Sequence, residues 1–300
     1  MTGSRFEIRR LSDCSLTDAV EIWNEGFKGY FVDMTLTADD YLKRLRNEDL
    51  SHEHSLIAFS DDKPAGFLLN GIRATGGLKV AWNGGTGVSA EFRKQGVGKA
   101  LVQAAIDVYA AEKVELATLE ALSNNTAAIA LYRKFGYELL DRLIFLRHEG
   151  RLEDLAHDRE TSPYSARSVH PAEVGPLSFY RQVAPWQTQW QSLQLNDGQA
   201  VIVSDAAGVD VGYALFRKKF AEAGKLEGIA LSQCEVSPDR PDSAAIAVST
   251  LSHVYSPLDQ DCRRSTSNLR MSNELVLKIL RTSGFTTFVE QLHMAKRLSC

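Results

Sequence analysis

The run Arg93-Lys94-Gln95-Gly96-Val97-Gly98-Lys99-Ala100 is the stretch of this sequence best equipped for chemistry. Glycines tolerate backbone conformations that other residues resist. Gly96 and Gly98 therefore let the chain turn tightly and aim successive N–H groups at an anion. Arg93, Lys94 and Lys99 surround that nest with positive charge, a combination suited to a pyrophosphate. Two other phosphate-binding loops do not fit. A Walker loop needs glycine where Arg93 stands and Ser or Thr where Ala100 stands. A dinucleotide fingerprint starting at Gly96 needs a third glycine where Leu101 stands. What remains is R-x-x-G-x-G, a weak signal until its surroundings are read.

Those surroundings place the loop between a strand and a helix. Residues 79–88 read as extended chain interrupted by Gly84-Gly85, which fits a bulge or a close backbone approach, or relief of crowding against Trp82. Residues 97–111 read as a helix with Val97, Leu101, Ala105 and Val108 on one side. Upstream, residues 6–11 form a short strand. Ser15 then caps a helix carrying Leu16, Ala19, Val20, Trp23 and Phe27 at helical spacing. A second helix covers residues 38–45, and strands at 55–60 and 65–70 meet across Asp61-Asp62-Lys63-Pro64. Downstream come a strand at 114–122, a helix at 125–135 ended by Gly136, and extended chain at 137–146.

The polar segment 149–161 (EGRLEDLAHDRET), followed by Ser162-Pro163, divides the chain into domains at 1–150 and 151–300. Beyond it the order of elements recurs. A shift of 148 residues aligns Val88-Ser89 with Val236-Ser237, Asn125 with Asn273, Arg133 with Arg281, and Gly136-Tyr137 with Gly284-Phe285. Ala128, Ile129 and Leu131 fall on Val276, Leu277 and Ile279, and Gly66-Phe67 is echoed by Gly212-Tyr213. A duplicated fold is expected. In the second copy Arg93, Gly96, Gly98 and Tyr132 become Pro241, Ala244, Ile246 and Leu280. Tyr180, Trp186 and Trp190 precede the second sheet and have two readings, packing on the first domain or internal core.

Composition narrows the classes. At 300 residues, 44% hydrophobic and 24% charged, the chain has material for two cores and is not disordered, collagenous or coiled-coil. A net charge of −4 gives no global attraction to nucleic acid or anionic lipid. The charged start of the chain lacks the apolar core of a signal peptide, and no apolar run nears the ~20 residues that span a bilayer. The four cysteines, Cys14, Cys234, Cys262 and Cys300, form no CxxC pair, and His52 and His54 have no further ligand pattern around them. Free thiols, no metal site and a cytoplasmic location are expected.

After Gly98 comes Asn125-Thr-Ala-Ala128-Ile-Ala-Leu131-Tyr132-Arg-Lys-Phe135-Gly136-Tyr137. With both motifs in place the chain resembles the GCN5-related N-acetyltransferase (GNAT) superfamily, in which R/Q-x-x-G-x-G/A binds the acyl-CoA pyrophosphate and an N-x-x-A-x-x-L-Y-x-x-x-G-F/Y helix follows. The likeness covers residues 5–148 well and 199–297 as a worn copy. It implies an α/β (α+β) fold of two GNAT-like domains, each a mixed, mostly antiparallel twisted sheet flanked by helices. It implies acetyl-CoA as co-substrate, held by Arg93, Lys94, Gln95, Gly96, Val97, Gly98, Lys99 and Ala100, with Thr86 and Val88 pairing to the pantetheine amides. Asn125 is then both helix cap and contact to the CoA arm. Tyr132 becomes the general acid that protonates the departing thiolate, a role that contributes typically ~10²–10⁴-fold.

The base is a gap. Deprotonating an alkylammonium near pH 7 costs about 4–5 kcal/mol. Many relatives carry a carboxylate before Val88, where Trp82, Asn83, Gly84, Gly85, Thr86 and Gly87 offer none. Glu120 is the best remaining carboxylate, beside roles as a structural or substrate contact, and a water chain is an alternative. Trp23, Phe27, Tyr30, Phe31 and Met34, with Glu25 and Asp33, make the region that sets the acceptor in this family aromatic and acidic, suited to a cationic, partly hydrophobic amine, although packing of the helix onto the sheet explains Trp23 and Phe27 equally well. The expected activity is transfer of acetyl from acetyl-CoA to an amine of a small molecule or peptide, by a monomer or homodimer. A non-catalytic acyl-CoA sensor is the alternative.

Overall fold

The computed structural model describes residues 6–30, 33–152, 155 and 162–298. Phe31, Cys300 and most of the polar segment 149–161 lie outside them. The chain forms two compact units, Met1–Leu140 with His293–Cys300, and Asp141–Leu292. This differs from a division at residue 150. The long strands at the ends of the two halves each change unit partway along, so the first unit closes with residues from the far end of the chain.

Unit 1 runs β1 (Glu7–Arg10), α1 (Leu16–Phe27), α2 (Ala38–Asn47), β2 (Ser51–Ser60), β3 (Lys63–Thr75), β4 (Leu78–Val88), α3 (Val97–Ala111), β5 (Leu116–Leu122), α4 (Thr126–Lys134) and the start of β6 (Glu138–Gly150). Its sheet order is β1-β2-β3-β4-β5, and next to β5 lies the end of β13 (Thr286–Arg297). The first four strands are antiparallel neighbours, whereas β4 and β5 are parallel. Ser15 caps α1 by accepting the Asp18 N–H, as its position before the apolar stripe predicts. The helix buries Ala19, Ile22, Trp23 and Gly26. Trp23 is fully buried, with its ring 5.1 Å from that of Phe67 on β3. Complete burial of such a ring stabilises by roughly 1.5–3 kcal/mol. On the other face α3 buries Val97, Leu101, Val102, Ala105 and Tyr109.

Unit 2 contains most of β6, then β7 (Ser165–Val169), α5 (Trp190–Gln194), β8 (Gln199–Ser204), β9 (Asp210–Phe220), β10 (Leu226–Val236), α6 (Ser243–Tyr255), β11 (Cys262–Thr266), β12 (Leu269–Arg270), α7 (Glu274–Thr282) and the start of β13. Its sheet order is β6-β11-β10-β9-β8-β7. Tyr180 and Trp190 pack with Val174, Leu193 and Tyr213 of the same unit, and Trp186 is buried, so these aromatics are internal to unit 2.

The repeat is carried by the elements themselves. At the offset of 148, β4 (Leu78–Val88) falls residue for residue on β10 (Leu226–Val236), and α4 (Thr126–Lys134) on α7 (Glu274–Thr282). The caps agree as well: Asn125 accepts the Ala128 N–H, and Asn273 accepts the Val276 N–H. β4 slips register at Gly84 and β10 at Ser232, the same position in the repeat, and β10 slips again at Glu227.

Candidate active site in unit 1

The site begins where β4 and β5 part. Their pairing runs from Val80–Leu116 to Asn83–Leu119. Beyond that rung β4 continues to Val88 beside β3, and β5 continues to Leu122. The bulge at Gly84 accompanies the parting. Glycine is required there by close approach, because an added Cβ would lie 2.6 Å from the Trp82 ring and 2.8 Å from Leu50. Relief of crowding and bulge formation are thus one feature. Its backbone groups are satisfied: Arg44 Nη2 donates to Gly84 O at 3.1 Å, and Gly85 N donates to Asn83 Oδ1 at 3.1 Å.

Tyr132 comes from α4 to this apex. Asn83 Nδ2 donates to its hydroxyl at 3.5 Å and to Thr86 Oγ1 at 2.9 Å. Burial pushes the Tyr132 phenol above its ordinary range, while hydrogen bonds with Thr86 and Asn83 pull it back in part. A phenol in that environment stays protonated at neutral pH and is fitted to give a proton. Tyr30 joins the group by hydrogen-bonding Asn125, and it is near enough to add to the upward push on Tyr132. The sequence pointed to Tyr30 only through the aromatic clustering of its region.

The glycine loop follows β4 through Ser89 and a short turn at Ala90–Phe92. Gly96 is left-handed, with φ +97°, and it caps α3 without any side-chain hydrogen bond. The first N–H groups of that helix have no intrahelical acceptor. Those of Val97, Gly98 and Lys99 therefore lie at the open end of the helix, with Lys94, Gln95 and Lys99 exposed around it. A Cβ at Gly98 would lie 3.3 Å from Leu131 of α4. Arg93 serves the loop's architecture: its Nε donates to Val88 O at 3.1 Å, and its Nη2 to Lys28 O at 3.1 Å and Gly26 O at 3.4 Å. Thr86 and Asn83 thus meet Tyr132, Tyr30 links that group to Asn125, and Val88 and Leu131 both border Gly98 of the loop.

Glu120 is the next residue on β5 after the last rung. Its Oε2 accepts the Trp82 indole N–H at 2.6 Å, its Oε1 lies 3.8 Å from His293 Nε2, and its side chain is only 7% exposed. Asn83, beside Trp82 on β4, meets Tyr132, so Glu120 and Tyr132 are addressed from opposite faces of the sheet. His293 was invisible to local sequence reasoning, because its partner lies far upstream. At the end of α1 a cavity of about 450 Å³ is lined by Asn24, Glu25, Phe27, Lys28, Gly29, Tyr30, Asp33 and Thr35. It shares Tyr30 with the Tyr132 group.

At the corresponding positions unit 2 is filled by its own chain. Asn273 Nδ2 donates to Cys234 O at 2.7 Å, at the repeat position of Thr86. Arg270 pairs with Glu235 at 2.6 Å, and the remaining cavity is about 10 Å³, room for roughly one water. Among the described residues there is no cluster of potential metal ligands, and no helix is long and apolar enough to cross a membrane.

Residues 17–137 match the acetyltransferase (GNAT) family model. No curated protein matches the sequence. Among solved structures, a GCN5-related glucosamine N-acetyltransferase region of a fungal multi-domain GH3 β-N-acetylglucosaminidase superposes with TM-score 0.70 at 16% identity, over 96% of this chain and 38% of that longer one. A tandem GNAT protein of clavulanic acid biosynthesis gives 0.60 at 14% identity, over 98% and 99% of the two chains. A GCN5-related N-acetyltransferase of Sphaerobacter thermophilus gives 0.62 at 15%, over 100% and 98%. At these identities the likeness is one of fold.

Proposed function

We propose that unit 1, whose residues 17–137 match the GNAT family model, transfers an acetyl group from acetyl-CoA to a primary amine and that unit 2 is a copy without a CoA site. The observation that carries this reading is the apex between β4 and β5, where Tyr132 lies against Asn83. The unpaired edge of β4 beyond Asn83 offers the backbone of Thr86 and Val88 to the pantetheine amides. The pyrophosphate meets the N–H groups at the start of α3, where dipole and free donors favour an anion. Arg93 contributes by holding β4 and the end of α1 to the loop.

The thioester carbonyl then lies at the apex, with its sulfur toward Tyr132 and its open face toward Glu120. Glu120 takes a proton from the acceptor ammonium, the freed amine attacks the carbonyl carbon, and the C–S bond breaks as Tyr132 protonates the thiolate. The amine's second proton returns to Tyr132, and its third stays on the amide product. Acidic Glu25 and Asp33 beside Phe27 and Tyr30 suit a cationic, partly apolar acceptor in the cavity they line.

The test is a calorimetric titration with acetyl-CoA, followed by CoA-thiol release with primary amines, aminoglycosides and lysine-containing or free N-terminal peptides. One site per chain and amine-dependent thiol release are expected. Binding without release for any acceptor would replace this reading with an acyl-CoA sensor. Two sites would refute the account of unit 2.

A further inference from the structure

Unit 1 borrows its closing strand from the far end of the sequence, and that strand delivers a histidine to Glu120. Leu298 N donates to Glu115 O at 2.9 Å, while His293 Nε2 sits 3.8 Å from Glu120 Oε1. The two contacts run in opposite directions along the strands. The end of β13 is therefore antiparallel to β5, with His293 opposite Glu120. With the Trp82 indole on its other oxygen, Glu120 belongs to a three-residue polar cluster drawn from three strands, whose His293 side chain is 1% exposed. The cluster lies at the first position beyond the Asn83–Leu119 rung, at the apex itself.

Burying a carboxylate beside an imidazole is a costly way to fill a sheet. An apolar set of similar volume is often as stable or more so. Unit 2 does without the cluster at the corresponding strand positions. Ala230 replaces Trp82, Phe145 replaces His293, and Ser267 follows the last rung, Leu231–Thr266, as Glu120 follows Leu119. Unit 2 nevertheless keeps the bulge, the Asn273 cap and the turn at Gly284. The copy retained what the fold needs and lost this cluster together with the tyrosine and the loop glycines.

We propose that His293 is a positioning residue for the acetyl-transfer reaction, orienting the Glu120 carboxylate and receiving the proton that Glu120 takes from the acceptor. The inference rests on Glu120 being the base. The ammonium N–H bond breaks, its proton passes to Glu120 and then to His293 Nε2, and the imidazolium releases it to solvent after product leaves. The charged group facing His293 in the described contacts is Glu120. Lys296, three residues along its own strand, reaches toward Gly136 at the end of α4.

The experiment compares the full-length parent with His293→Gln and with His293→Phe, which copies unit 2. Steady-state kinetics are measured from pH 6 to 10 with an amine that supports turnover, beside acetyl-CoA affinity and thermal midpoint. His293→Gln is expected to lower kcat about 10–100-fold near pH 7, at the low end of what proton-transfer groups contribute. Acetyl-CoA affinity should stay within about twofold. The deficit should shrink toward pH 10, where a growing share of the amine arrives already deprotonated. His293→Phe, folded as Phe145 folds in unit 2, should show the same pH-dependent deficit. A deficit equal at every pH, or none, overturns the role of His293 while leaving the transferase reading intact. Failure of the parent itself to turn over any amine overturns both.

Discussion

Replacing Tyr132 with Phe removes one oxygen from the apex and separates chemistry from architecture. The ring remains against Tyr137, whose centroid lies 5.8 Å away. The hydroxyl's contact with Asn83 is long at 3.5 Å, and Asn83 Nδ2 keeps its 2.9 Å bond to Thr86. No buried donor is stranded, so the loss of stability should be about 0.5–1.5 kcal/mol. The loss of a general acid should lower kcat by ~10²–10⁴-fold, about 2.7–5.5 kcal/mol of barrier. Acetyl-CoA affinity should hardly change, because the proton is transferred only as the C–S bond breaks. Thiol release at saturating acetyl-CoA and acceptor measures the first effect, and calorimetry measures the second. Burial holds the phenol protonated beyond its ordinary range, so the deficit should persist from pH 6 to 10. A variant within about threefold of the parent across that interval would remove Tyr132 from the mechanism.

Two further outcomes are expected. Gly98→Ile, which copies Ile246 of unit 2, places a branched side chain at the pyrophosphate-facing turn and against Leu131, 3.3 Å from its Cβ position. Acetyl-CoA binding by calorimetry should disappear while the circular dichroism of the fold remains, and retained binding would sink the account of the worn copy. Burial raises the phenols of Tyr41, Tyr109, Tyr132 and Tyr137, so above pH ~10 the unfolded chain loses protons that the folded one keeps. The stabilisation is complete below pH ~10 and falls as pH rises toward the folded values, by at most ~1.4 kcal/mol per pH unit for each tyrosine. Denaturant midpoints from pH 8 to 11.5 should show that decline, and a flat profile would contradict it.

What the sequence made legible was local or periodic. Ser15 before an apolar stripe is a helix start, and Asn125 three residues before Ala128 is a cap, because side chain and backbone partners lie within one turn. Gly84 reads as a bulge because one unpaired residue must bend the chain there. The place of Arg93 in the motif implies a contact with pyrophosphate. Its bonds to Val88, Lys28 and Gly26 depend on where the end of α1 comes to rest, which no spacing in the loop encodes. His293 was missed for a similar reason. Nothing near residue 293 marks it as belonging to the first unit, although carrying the repeat through to β6 and β13 would have raised the question of which half each strand completes.

The borrowed strand also sets a schedule. On the ribosome β5 and the glycine loop emerge early, but the strand that closes unit 1 beside β5 is made only after Asp141–Leu292. At ~5–20 residues per second that interval lasts about 8–30 s. Throughout it the growing chain carries an uncovered strand edge, a template for wrong pairing that a cell must shield or outrun. Catalytic competence would thus wait on the second half of the repeat: a chain released before β13 would lack His293 as well as the strand that bears it.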